Sequence, residues 1–341
     1  MAKKSARREL FRDLDKDGVT YSFLNEFVLC REQARLSYVE GFTRDGISEA
    51  LDFGSLFHAG LEALADNKTV RQAVNEIGRE HHKLIQYRGK LDKGEAAQLS
   101  LLTAKAQIIL PWYHEYWLRK KGHEHRKDAK FIAREQDFRQ EHEIPVMTVT
   151  GSTVSWQLRT IVLRGRFDAI FKLNGKLWLM ENKTKSQIDE DGLQASLSQD
   201  LQTMLYSYAI KLMYGEYPAG VLYNVVRRPA LRQKQTENTA EFLTRIEEDV
   251  KANPDHYFKR WEVTFAKKDI DNWVTRSLNP ILAQVRLWWD EIKTNPFDPW
   301  AIPNRLHHFQ NPEGLYNRYG KSQYFELLTS NSTFGLKRRD K

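Results

Sequence analysis

The stretch RGRFDAIFKLNGKLWLMENKTK, Arg164 to Lys185, decides the architecture. At its centre, Asn174-Gly175 is the strongest short signal for a β-hairpin, because both residues tolerate the positive φ of a type I′ turn. A two-residue loop sets Asp168 opposite Glu181 and Arg166 opposite Lys183. Side chains alternate along a strand, so these four share one face, with directly opposed Cβ atoms ~4.5–5.5 Å apart. Two carboxylates that close repel each other unless a cation sits between them, and hard ions such as Mg²⁺ take oxygen ligands. Lys183 points to the same side and reaches a water or phosphate beside such an ion. These groups suit phosphodiester hydrolysis, in which a metal polarises the phosphate and activates water while the lysine stabilises charge. The competing arrangement is a solvated face with two salt bridges, Asp168–Lys183 and Arg166–Glu181. Against it, the flanks are apolar (Phe167, Ala169, Ile170; Leu177, Trp178, Leu179, Met180), as in a central strand pair where charges seldom sit without a use.

Working outward, FIAREQDF (131–138), WQLRTIVLRGRFDAIFKL (156–173) and KLWLMEN (176–182) read as strands, rich in β-branched and aromatic residues. Further strands are predicted at Gly220–Val226 and Trp261–Phe265. Helical periodicity covers Ser22 to about Gly41, then a helix from about Phe53 with the stripe Phe53, Leu56, Phe57, Gly60, Leu61 and Leu64. It returns at 69–88, 95–121, 193–214, 239–251 and 267–293. The tail from Pro296 is expected to be irregular and polar. Helices, a strand cluster, a crossing helix and another strand predict an α/β fold with a mixed sheet. The expected divisions are a basic lead-in (1–20), a helical part (21–130), a sheet-bearing core (131–295) and a basic tail (296–341).

Composition narrows the function classes. The chain has 341 residues, 53 Lys and Arg against 45 Asp and Glu, and a net charge of +8. A polyanionic partner fits, because basic clusters gain free energy by releasing counterions from nucleic acid. Basic residues recur at Lys3, Lys4, Arg7, Arg8, at Arg227, Arg228, Arg232, Lys234, and at Lys337, Arg338, Arg339. The one cysteine, Cys30, cannot form a disulfide framework within the chain, which fits a reducing compartment. The charged start, MAKKSARREL, gives no sign of a signal peptide, and no membrane span is expected. The cytoplasm of a bacterium or of a virus-infected host cell is the expected location. Gly320-Lys321-Ser322 fails as a P-loop because Leu315 stands where the spacing needs glycine. A helicase would therefore be a separate partner. His81-His82 and His307-His308 lack the spacing of zinc ligands.

The segments Gly165-Arg-Phe-Asp168 and Glu181-Asn-Lys183 resemble the motif of the PD-(D/E)XK nuclease superfamily, and the branch they look most like is the RecB-like one. FGSLFH, ending at His58, resembles that branch's G-x-x-x-H helix. Gln202 to Tyr206 resembles its Q-x-x-x-Y motif, and SFLNEFVLCREQARLSY (22–38) its opening helix. The matches span 22–206 in the expected order. The resemblance implies a restriction-endonuclease-like α/β core, a mixed central sheet flanked by helices, with a helical N-terminal part. It implies that His58, Asp168, Glu181 and the Asn182 carbonyl bind Mg²⁺ or Mn²⁺, with Glu135 in the place of an upstream acid. Lys183 would be the catalytic lysine, acting with Asp168 and Glu181; Gln202, Tyr206 and Arg166 would meet the substrate. Many members of the branch hold an iron–sulfur cluster on four cysteines. Cys30 stands where the first would be, but a single cysteine builds no such cluster here. Asn311 to Leu328 would then be the remnant of that clasp, held by packing or by His307 and His308.

The leading expectation is a DNA exonuclease or end-processing nuclease of recombination, repair or viral DNA metabolism. A separate helicase or a single-strand-binding or annealing protein is the implied partner. The alternatives are a structure-specific endonuclease on the same core and a DNA-binding protein on a degenerate one. Against the last, every acid and the lysine are present.

Overall fold

The structure, a computed structural model, describes residues 10–120, 128–150, 152–197, 199–294, 311–317 and 320–339. Lys3, Lys4, Arg7, Arg8, His307 and His308 lie outside them. In chain order come helix α1 (Tyr21–Leu29), strand β1 (Phe42–Arg44), helices α2 (Glu49–Ala65), α3 (Val70–Arg88) and α4 (Lys93–Arg119), and strands β2 (Lys130–Thr150), β3 (Thr153–Leu173) and β4 (Lys176–Lys185). Then follow α5 (Glu190–Leu197), α6 (Leu201–Tyr214), β5 (Gly220–Arg227), α7 (Thr239–Ala252), β6 (Phe258–Thr264), α8 (Lys267–Trp273) and α9 (Asn279–Thr294). The chain divides into two units. One comprises Met1–Asp45, Phe138–Gly165 and Lys267–Lys341; the other, Gly46–Asp137 and Arg166–Ala266, carries the candidate site.

A five-stranded mixed sheet runs in the order β2-β3-β4-β5-β6. β3 and β4 pair antiparallel, β4 and β5 parallel, β5 and β6 antiparallel. The parallel pair needs a long crossover, which α5 and α6 supply. The hairpin register is the expected one from Leu173↔Lys176 to Ala169↔Met180, and Asn174 and Gly175 take φ of 52° and 75°. Seven of the eight β5 residues are buried, the pattern of a strand covered on both faces. In this unit α2 buries Phe53, Leu56, Phe57 and Leu61 against Ile77 of α3 and Ile109 and Leu110 of α4. Gly60 makes this packing possible: a Cβ there would stand 2.8 Å from Leu110.

Two helices expected to be continuous are broken. The stretch 193–214 divides into α5 and α6 because Asp200 accepts from Thr203 N at 2.8 Å and starts a new helix. The stretch 267–293 opens into a π-helical turn, Val274–Leu278, before α9. Pro280 lacks the N–H that would have bonded the preceding turn. The opening helix also ends early, since Cys30 is extended and Arg35–Val39 is π-helical.

In the first-named unit, Phe23 and Phe27 of α1 pack on Trp288 of α9, with ring centroids 5.9 and 5.4 Å away. The tail corrects the expectation of irregularity. Its residues Leu336–Arg338 pair antiparallel with β1. Tyr324 is fully buried and donates to the Phe42 carbonyl at 2.9 Å. Gly314 lies so close to Leu29 and Cys30 that a Cβ would stand 2.7 Å from the Leu29 carbonyl oxygen. Gln33 donates to the Gly314 carbonyl and accepts from Ser322. Apolar residues spread through the tail, Leu327, Leu328 and Leu336 among them, build this packing with Leu36 and Phe42.

Glu26, on α1, gives this unit a pH dependence. Burial pushes its carboxyl up to about 7 from an ordinary 4.5, against the opposing pull of Ser37 and Arg339. A raised folded-state value contributes stability that is complete below 4.5 and lost as pH rises through about 7. Glu26→Gln should therefore stabilise the protein by roughly 1–3 kcal/mol at pH 8 and change little at pH 4. Thermal unfolding at the two pH values checks it; no gain at pH 8 would contradict the assignment.

Candidate active site

Five elements or their ends deliver the site. His58 comes from α2, Glu135 from β2, Asp168 from β3, Glu181 and Lys183 from β4, and Gln202 from the first turn of α6. Gly54 lets α2 approach β4, since a Cβ there would stand 3.3 Å from Thr184 Oγ1. One turn later His58 Nε2 meets the Asn182 carbonyl at 3.0 Å. A bond donated by Nε2 leaves the lone pair on Nδ1, which lies 4.0 Å from Asp168 Oδ1.

The hairpin ladder departs from expectation at the chemistry. Beyond Ala169↔Met180, the Asp168 carboxylate accepts the Asn182 N–H at 2.6 Å. Arg166 does not face Lys183 or Glu181; its guanidinium pairs with Asp137 at 2.8 and 3.0 Å. The alternation of faces holds for regular pairing only, and here a side chain has taken over a ladder hydrogen bond. Lys183 Nζ instead donates to Glu181 Oε2 at 3.1 Å and to Gln202 Oε1 at 2.7 Å. Gln202 Nε2 closes the triangle on Glu181 Oε2 at 2.9 Å. Tyr206, one turn along α6, is buried edge-on to Phe167, with ring centroids 5.5 Å apart. Its phenol is buried and hydrogen-bonds with Gln202.

His58, Glu135 and Asp168 offer ligand atoms that all lie within 4.8 Å of one another. Glu135 holds a φ of 42°, a conformation that costs a non-glycine residue free energy and that gathers at functional sites. Burial pushes its carboxyl up to about 8, and the charges of Asp168 and Glu62 push the same way. Glu181 is wholly buried, and its Oε1 has no hydrogen-bond partner. Burial raises its pKa, with Lys183 opposing. Burial also pulls the Lys183 ammonium down, but Glu181 and Asp168 outweigh it, and the net shift is upward. Excess negative charge, an imidazole lone pair and an orphaned carboxylate oxygen are the donor set of a divalent cation. The residues therefore fit one.

With this geometry in place, comparison with known proteins is informative. Residues 19–297 match the family described as the PD-(D/E)XK nuclease superfamily. The chain belongs to this superfamily. The residues that resemble the superfamily's motif, Asp168 and Glu181-Asn182-Lys183, are among those the fold gathers. No curated protein matches the chain. Among solved structures, a match is the crystal structure of SSO0001, at 14% identity over 82% of this chain and 89% of that one. Its TM-score of 0.25 is too low to carry any argument. No helix among the described residues is long and apolar enough to cross a membrane.

Reasoning from residue patterns missed the support beneath this nuclease-superfamily site. Asn224, fully buried in β5, donates to Asn182 Oδ1 and to the Tyr113 hydroxyl, each at 2.8 Å. Arg260 donates to Asn224 Oδ1 at 2.9 Å and to the Tyr113 hydroxyl at 2.7 Å. This network holds Asn182, whose carbonyl meets His58. The available signal was a lone amide inside the apolar run Val221–Val226. Glu62, the acid beside Glu135, was also missed; both line a cavity of about 110 Å³ with Asp168 and Asn182.

Proposed function

We propose that this protein is a divalent-cation-dependent deoxyribonuclease of the RecB-like branch that processes DNA from its ends. One observation carries the reading: Lys183 is held on Glu181 and Gln202 beside the group formed by His58, Glu135 and Asp168. A bound Mg²⁺ or Mn²⁺ would polarise the scissile phosphate and make water a stronger nucleophile. His58 Nδ1, the Glu135 and Asp168 carboxylates, Glu181 Oε1 and the Asn182 carbonyl are the atoms that would hold it. Glu181 and Asp168 raise the Lys183 pKa, and the ammonium is placed to donate hydrogen bonds to charge developing on the phosphate. Gln202 fixes the lysine by accepting one of its hydrogen bonds, and it donates to Glu181 Oε2 so that Oε1 stays free. Asp168 has two tasks, since Oδ2 pins the Asn182 amide while Oδ1 faces His58.

The reading is tested with linear and covalently closed circular DNA, single- and double-stranded, in Mg²⁺, Mn²⁺ or EDTA. Metal-dependent loss of linear DNA alone is expected. Cutting of closed circles would replace end processing by endonuclease action. No cutting under any condition would overturn the nuclease reading itself.

A further inference from the structure

A second basic feature lies in the same unit, and the chemistry at Lys183 does not use it. Past the ends of β4 and β5, a cleft of about 450 Å³ is lined by Lys105, Glu49, Ser186, Arg228, Arg232 and Phe242, among others. Lys105 is only 6% exposed. Among the described residues its ammonium makes no hydrogen bond or ion pair, and its partner is the Phe242 ring, 5.4 Å away. Glu49, the nearby acid, is engaged with Arg228 at 3.4 Å. Arg232 is exposed, with no acid paired to it among the described residues. Burying an unpaired ammonium is expensive unless an anion meets it.

The cleft begins where the strands that carry the candidate active site end. Lys185 pairs with Arg227 at the ends of β4 and β5, and Ser186 and Arg228 follow them directly. Ser186 lies three residues beyond Lys183, at most ~10 Å of extended chain. Two or three nucleotides at ~3.4 Å of axis rise each cover that distance.

We infer that Lys105, Arg228 and Arg232 form a phosphate-binding subsite that grips the nucleic-acid strand a few nucleotides from the scissile bond. The inference rests on the nuclease reading and deepens it. The phosphate is either an internal phosphodiester or a terminal monophosphate. Burial lowers the Lys105 pKa, with Glu49 opposing and the neighbouring Arg228 charge adding to the effect; an incoming phosphate would favour the charged form.

The test is the binding of oligonucleotides with a 3′ dye and either a 5′-phosphate or a 5′-hydroxyl. It uses the full chain in EDTA, read by fluorescence anisotropy across a salt series. Parent, Lys105→Met and Arg232→Gln are compared, with thermal unfolding alongside and metal-dependent cleavage by the parent as a separate arm. Lys105→Met should weaken binding about fivefold to tenfold and reduce the salt slope by about 1. It should melt no lower than the parent, because a desolvated charge has been removed. Arg232→Gln, at an exposed position, should act in the same direction and decides the matter if the first variant does not fold. A loss confined to 5′-phosphorylated strands identifies a terminal phosphate, and an equal loss with both identifies an internal one. Parent-like affinity and slope in both variants, with the parent still cleaving, would overturn the subsite and leave the nuclease reading intact. A parent that neither binds nor cleaves would overturn both.

Discussion

Lys183→Ala is expected to reduce metal-dependent DNA cleavage by roughly 10³-fold, the scale of losing a positioned charge at a developing anion. The fold should survive. Lys183 is the charge partner of a wholly buried carboxylate, and breaking such a pair can cost ~3–5 kcal/mol when the remaining charge stays. Here burial already drives Glu181 toward its protonated form, so the orphaned acid neutralises. Asp168→Asn should match the loss of cleavage while keeping the bond to the Asn182 amide. Asp168→Ala would leave that N–H without its acceptor, at a cost of ~1–3 kcal/mol, and would confound activity with stability. Single-turnover cleavage of end-labelled linear DNA, with circular dichroism melting on the same samples, separates the two effects. Parent-like cleavage by the Lys183 variant would remove this lysine from the mechanism.

Glu135→Asn should move stability and activity in opposite directions. The backbone there has a φ of 42°, and asparagine is among the residues that accept this region most readily. The substitution also removes a carboxylate that is crowded by Asp168 and Glu62. A gain of ~1 kcal/mol is expected, or ~2–4 °C in Tm for a unit of this size. Cleavage should fall by at least about 100-fold, because a charged member of the proposed ligand set is gone. Mn²⁺ should raise the Tm of the parent, since a ligand that binds only the folded state stabilises it, and that increment should shrink or vanish in the variant. A variant that melts lower than the parent and keeps its metal-induced shift would show that Glu135 is structural.

These two sites differ in how visible they were beforehand. The hairpin was legible because its determinants are local: Asn174-Gly175 sets the turn, and the alternation along each strand sets the register. The stripe on α2 was legible for the same reason. The ladder's end was not, because Asp168 trades a cross-strand position for a hydrogen bond to the Asn182 amide, and no periodicity encodes that trade. His58 and Gln202 were found only through resemblance. Their partners, the Asn182 carbonyl and Lys183, lie 124 and 19 residues away, beyond any local pattern. Asn224 and Arg260 stayed hidden because a buried polar network is defined by what it touches. The tail was misjudged because its apolar residues are spread thinly among polar ones and find their partners near the other end of the chain.

That pairing bears on the order in which the protein can form during synthesis. β1, at residues 42–44, receives its partner strand only from residues 336–338, whereas the site-bearing unit ends at Ala266. A ribosome making this chain has delivered every residue of the candidate active site about 70 residues before β1 gains a neighbour. Until then β1 offers an unpaired strand edge, the kind of surface that other chains can join. The edge waits through the synthesis of nearly 300 residues, about 15–60 s at ~5–20 residues per second, of which only the last few seconds to about fifteen seconds follow completion of the site-bearing unit.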